Sequence, residues 1–274
     1  MNEDQLQQIY AWFLSFVEGF QNADSTLPPP LTLKLNHTQH VATMAREIAQ
    51  ELRWSPDDIR LSEALGWLHD VGRFSQFAEF GHLYDATSVN HGQRGLEIVR
   101  DSGILSPLST ACQNRLLDGI RHHNAKSIPA SVSPDSLPFL KLIRDADKLD
   151  IYRVVIDGLA KDGLQELANI WPHIDLHGPI SSRLLQEIQT QSHVDFVHVK
   201  SLADFLLLQA FWIYELEYAP TRDRIRRDHI LETLSTYLPD DPSVQLILDT
   251  LQKDLLQPAT SHTQKETASS LPLP

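Results

Sequence analysis

Seven side chains of this chain carry the residue types and spacings of metal chemistry. His69 and Asp70 are adjacent and follow an apolar helical stripe, Leu61, Ala64, Leu65, Trp67 and Leu68. Such a pair offers one nitrogen and one carboxylate to a single cation, although by itself it equally describes a His meeting a helix dipole and an Asp capping a turn. His37 shares a stripe with Val41, Met44, Ala45, Ile48 and Leu52, so its imidazole faces the core and must find a partner there. His40 is offset from that stripe and reads as a flanking, partly exposed residue. Asp147 lies in the middle of the apolar series Leu140, Ile143, Ile151 and Val154, a costly place for a carboxylate unless it is paired or metal-bound. Asp145 and Asp150 fall off that stripe and read as solvated.

Two His and two Asp converging within a helical bundle fit a divalent-metal site. His91 opens a helix and His122-His123 closes one. Singly, each reads as a cap or a surface His. Together they supply the nitrogens for a second metal, with Asp70 as the bridge, which is the logic of a two-metal hydrolytic site.

The elements that must position these residues are helical. Periodic apolar positions predict helices over about 4–22, 33–53, 55–69, 91–102, 107–123, 138–155, 157–169, 181–190, 200–217, 221–237 and 242–256. Ser55-Pro56-Asp57-Asp58 is a helix start and Gly103 a helix stop. Residues 72–90 read as a long loop. No segment alternates like a half-buried strand, so the class is all-α. The chain divides into an N-terminal helix and Pro-rich linker (1–30), a core (31–155), a helical extension packed on it (156–257) and a Ser/Thr/Pro/Gln-rich tail (258–274) expected to be disordered. Cys112 falls in an apolar helical pattern and reads as core.

Composition narrows the function. The 274 residues hold 13 His, one Cys, 36 Asp+Glu and 23 Lys+Arg, a formal charge of −13. That balance argues against long nucleic acids, which require excess Lys and Arg. A single Cys rules out an internal disulfide framework and fits a reducing compartment. No apolar run approaches the roughly 20 residues of a membrane span, and the start Met1-Asn2-Glu3-Asp4 does not resemble a signal peptide. A cytoplasmic protein without membrane attachment is expected.

The order His37, His69-Asp70, Asp147 resembles the HD superfamily of metal-dependent phosphohydrolases. His37-Thr38-Gln39-His40-Val41-Ala42 is similar to that family's His-x-x-x-Val segment, Leu68-His69-Asp70-Val71-Gly72-Arg73 to its central signature, and Ala146-Asp147-Lys148-Leu149-Asp150 to its closing motif. The likeness covers about 33–155. It implies an HD-domain helical bundle with additional C-terminal helices. His91 and His122-His123 are similar to the enlarged ligand set of binuclear members. No Gly-Tyr-Pro motif follows, so cyclic-di-GMP hydrolysis is not implied. The stretch from His69 to His91 is similar to a bacterial HD hydrolase subgroup that commonly has Asp where Asn90 stands here.

The resemblance implies that His37, His69, Asp70 and Asp147 hold one divalent ion and that Asp70, His91, His122 and His123 hold a second, with Mn, Fe, Mg, Zn, Co or Ni all compatible. A water activated by the metals would then cleave a phosphoester of a small phosphorylated substrate, a nucleotide or a small phosphodiester. Asp70 acts at the centre, Arg73 is expected to clamp a phosphate oxygen, and Lys148 to reach substrate or pair with Asp145 or Asp150. Asp85 is expected to orient His91, donate a proton or cap its loop. Phe74, Phe77, Phe80 and Tyr84 either stack on a base or anchor the loop. The alternatives are a di-iron HD-fold oxygenase and a catalytically silent regulatory HD protein. A homo-oligomer is compatible with the sequence.

Overall fold

The computed structural model describes residues 1–160, 174–190, 194 and 196–257. Twelve α-helices occur among the described residues: α1 Glu3–Glu18, α2 Pro29–Glu51, α3 Pro56–Leu68, α4 Val71–Phe80, α5 His91–Ser102, α6 Thr110–His122, α7 Leu137–Ala160, α8 Ser182–Thr190, α9 Leu202–Phe211, α10 Ala219–Arg227, α11 Ile230–Ser235 and α12 Pro242–Leu255. Their only extended pairing is one isolated bridge between Asp175 and Ser201. The all-α class follows. The helix expected over about 157–169 falls largely, and the tail over 258–274 wholly, outside the described residues. No helix among the described residues is long and apolar enough to cross a membrane.

Local sequence explains most boundaries. Ser55 caps α3 by accepting from Asp58 N–H, and Asn90 caps α5 by accepting from Gln93 N–H. Gly81 and Gly103 end α4 and α5 with φ of +72° and +70°, a region open to glycine at no steric cost. Two expectations are corrected. Residues 72–90 are not one long loop: α4 occupies their first half, because Phe74, Phe77 and Phe80 recur at helical spacing and Gly81 stops the turn. The helix expected over about 221–237 is broken into α10 and α11 at His229, whose φ is +51°.

Packing then brings the ligand-bearing helices together. α2 lies against α3 and α7, while α5 packs between α4 and α6. Small residues set the separations. A Cβ on Gly66 of α3 would stand 2.3 Å from Ala42 Cα of α2, and one on Gly72 of α4 would stand 2.1 Å from the His91 carbonyl oxygen. Neither approach is possible with a larger residue. The first brings His37 beside His69, and the second brings His91 beside Asp70.

Replacing Gly72 with Ala is therefore expected to force α4 and α5 apart. Overpacking of this kind costs about 1–3 kcal/mol. Chemical denaturation should show that loss, and metal titration of the folded variant should show weakened binding on the His91 side. A variant with wild-type stability and metal binding would contradict this packing argument.

Candidate metal centre

α2 contributes His37, the end of α3 contributes His69 and Asp70, α5 begins with His91, His123 caps α6, and α7 carries Asp147. These side chains meet in one buried cluster. His37, His69, Asp70, His91 and His123 are each at most 4% exposed. Asp147 is 20% exposed at its side chain and lies on the open side.

Asp70 divides the cluster in two. Its Oδ2 lies 3.6 Å from His37 Nε2 and 3.8 Å from His69 Nε2, while its Oδ1 lies 3.3 Å from His91 Nε2 and 3.5 Å from His123 Nε2. Asp147 Oδ1 joins the first half, 3.1 Å from His37 Nε2 and 3.9 Å from His69 Nε2. Two triads, His37-His69-Asp70 and Asp70-His91-His123, each bring their ligand atoms within 4.8 Å of one another.

The outer ring nitrogens fix the chemistry of the inner ones. His69 Nδ1 donates to the Gly66 carbonyl and His123 Nδ1 to the Ile120 carbonyl, both at 2.8 Å. A carbonyl only accepts, so these rings carry their proton on Nδ1 and turn a bare Nε2 lone pair inward. His37 Nδ1 donates to Asp150 Oδ2 at 2.7 Å and His91 Nδ1 to Asp85 Oδ2 at 2.6 Å, with the same result. Each half thus pairs one His buttressed by a carboxylate with one buttressed by the backbone three residues earlier, the arrangement that orients metal-ligating imidazoles.

Four inward lone pairs and two carboxylates form a set of acceptors that face one another, with the Lys34 ammonium against Asp70 Oδ2. The facing Nε2 atoms stand 3.4 Å apart in the first half and 3.0 Å apart in the second. Two nitrogens sharing one ion at about 2.0–2.1 Å stand roughly 3.0–3.4 Å apart. The donor set therefore fits divalent cations. Burial drives the His69 imidazole down to about 4, and burial together with the Arg73 charge drives His91 down to about 3. Both rings are neutral near pH 7, as ligation requires. Burial and Lys34 push His37 down, and the Asp147 and Asp150 carboxylates beside its ring more than offset them, leaving it above its ordinary value. The Asp70 carboxyl resists the upward push of burial and stays well below the carboxylate range, held first by the Lys34 charge.

Several expectations need correction. His122 is partly exposed and belongs to neither triad, because consecutive helical positions diverge by about 100° and His123 takes the inward direction. Arg73, on α4, is engaged by its own helix and the segment that follows it. Its Nη1 donates to Asp85 Oδ1 at 2.7 Å, Gln76 Oε1 at 2.9 Å and the Leu83 carbonyl at 2.5 Å. Its Nε stands 3.7 Å from Asp70 Oδ1, so the guanidinium bridges Asp85 and Asp70 rather than projecting as a clamp. Lys148 is nearly buried, 3.1 Å from Glu215 and over the Trp212 ring, and serves contact with the C-terminal helices. Asp145 and Asp150 are fully buried, not solvated. Phe74 is wholly buried against Phe13, Phe16 and Phe20, where it anchors α4 and is closed to a base.

Sequence reading left Asp150 and Lys34 out of the site. Asp150 follows Asp147 by three residues and Lys34 precedes His37 by three, the spacing that shares a helix face. Lys34 Nζ lies 2.7 Å from Asp70 Oδ2. Among the expected roles of Asp85, the structure shows the orienting one, secured by Gln76 Nε2 at 2.9 Å and Asn124 Nδ2 at 3.2 Å.

Asp85→Asn and Asp150→Asn are each expected to weaken one half only, by about 10–100-fold in metal affinity. Calorimetric Mn²⁺ titration should show Asp85→Asn weakening binding on the His91 side and Asp150→Asn weakening it on the His37 side. His122→Ala should titrate as wild type. Unchanged isotherms for both Asn variants would contradict the buttressing.

No curated protein and no solved structure matches the chain. A family model does: residues 35–152 match the one described as HD domain. The matched span begins just before His37, ends just after Asp150, and encloses every residue of both triads. The chain therefore carries an HD domain, the domain of a superfamily of metal-dependent hydrolases, over residues 35–152.

Proposed function

We propose that this protein is a binuclear metal-dependent phosphohydrolase that cleaves a phosphoester of a small phosphorylated substrate, either a nucleotide phosphomonoester or a small phosphodiester. The observation that carries this reading is the division of Asp70, one oxygen toward each pair of bare imidazole nitrogens. His37, His69, Asp147 and Asp70 Oδ2 would hold one ion; His91, His123 and Asp70 Oδ1 would hold the other. Two such cations lower the pKa of a shared water and neutralise phosphate oxygens.

The chain's own residues supply the remainder. With the His69 and His91 rings neutral, Asp70 and Asp147 supply the negative charge at the centre, and divalent loading makes it cationic within a chain of net charge −13. An anion small enough to enter the cluster is then drawn to it, whereas an extended polyanion meets an acidic surface. Asp147, the most exposed of the inner ligands, marks the approach. The carboxylate and carbonyl buttresses hold all four imidazoles in register, which places the reacting groups without further reorganisation.

The test is phosphate release from a panel of nucleotides and small phosphodiesters with Mn²⁺, Fe²⁺, Mg²⁺ or Zn²⁺. Wild type is expected to turn over at least one class, and Asp70→Ala to lose at least about 10³-fold in rate because both halves lose their shared ligand. Equal background release by wild type and Asp70→Ala across the panel would overturn the hydrolase reading.

A further inference from the structure

We infer that Lys34 is the substrate-facing cation of this centre, binding a nonbridging phosphate oxygen. The inference rests on the phosphohydrolase reading and names the group that Arg73 fails to provide. Lys34 sits on α2 one turn before His37, and its side chain is 16% exposed, at the margin between the cluster and solvent. Its ammonium meets Asp70 Oδ2 at 2.7 Å, on the His37-His69 half. Arg73, by contrast, lies on the Oδ1 side with Nη1 committed to Asp85, Gln76 and the Leu83 carbonyl.

Two cations compete for Asp70 Oδ2. A divalent ion held by His37, His69 and this oxygen would set like charge beside the ammonium and weaken its hold on the carboxylate, freeing it to leave. A lysine has a flexible four-carbon stem and three donors, and can move to a nearby anion without backbone change. The anion that arrives with substrate at this mouth is the phosphoryl group. Lys34 thus neutralises Asp70 before the metals do and engages the substrate's charge once they are in place.

The experiment uses the full chain loaded with Mn²⁺ and inorganic phosphate as the probe. Phosphate affinity is measured by calorimetry for wild type, Lys34→Gln and Lys34→Arg, with Mn²⁺ stoichiometry and KM and kcat on whichever phosphoester the wild type hydrolyses. Lys34→Gln is expected to bind phosphate about 10–100-fold more weakly, the loss of one charge-assisted hydrogen bond, and to raise KM more than it lowers kcat. It should bind Mn²⁺ at wild-type stoichiometry and at least as tightly, since a competing cation is gone. Lys34→Arg should recover part of the phosphate affinity. Phosphate binding by Lys34→Gln equal to wild type overturns the inference while leaving the hydrolase reading intact, and so does loss of Mn²⁺, which would make Lys34 a support for Asp70 instead. A wild type that neither binds phosphate nor hydrolyses any phosphoester overturns both.

Discussion

The structure turns on one buried carboxylate. Asp70 is 2% exposed, and an ionised group so placed is tolerated only with compensating charge or hydrogen bonds on each oxygen. Here the imidazoles around it carry their protons on the outer nitrogen, so they present lone pairs to it and do not compensate it. Lys34 meets one oxygen and the Arg73 guanidinium approaches the other. This shortage of donors around Asp70 suits the cluster to cations, and the division of its two oxygens between the two triads is the feature on which the proposal of two ions rests.

Positioning such a cluster requires that its helices cannot drift, and the C-terminal helices contribute to that. Asp145, two residues before Asp147, accepts backbone N–H groups of Glu217 at 3.1 Å and Tyr218 at 3.0 Å, at the start of α10. Burial pushes its carboxyl up to about 6 against the pull of those amides. Lys148 pairs with Glu215, Lys141 with Glu217, and the Tyr152 hydroxyl donates to the Gln209 carbonyl, so α7 is fastened along much of its length. Arg224 of α10 reaches Glu47 and Glu51 of α2. The helices carrying His37 and Asp147 are thus tied to the same following segment. On the other face, α1 covers α3 and α4 through Phe13, Trp67 and Phe74.

The inner residues of the site were legible because each broke a pattern: His37 and Asp147 are polar residues on apolar stripes, and His69-Asp70 ends one. The supporting residues broke no such pattern. Asp150 looked solvated because α7 is buried on more than one face, so a residue off the main stripe still meets the protein interior. Asp145 was misread for the same reason. Arg73 looked free because a guanidinium's partners in a loop depend on where that loop folds, and Asp85 reaches it only after α4 and the turn at Gly81 are in place. His122 and His123 could not be separated by spacing alone at a helix end; only the direction of the last turn distinguishes them. The fold class and most helix spans followed from period and caps, whereas the α4 helix was hidden by the glycine at its start.

The central claim is that Asp70 is shared by two metal ions, one on each oxygen. Anomalous diffraction from crystals grown with Mn²⁺ measures this directly. The account predicts two anomalous peaks about 3.5–4 Å apart, one among His37, His69 and Asp147 and one between His91 and His123, with Asp70 between them. A single peak, or two peaks of which only one touches Asp70, would contradict it.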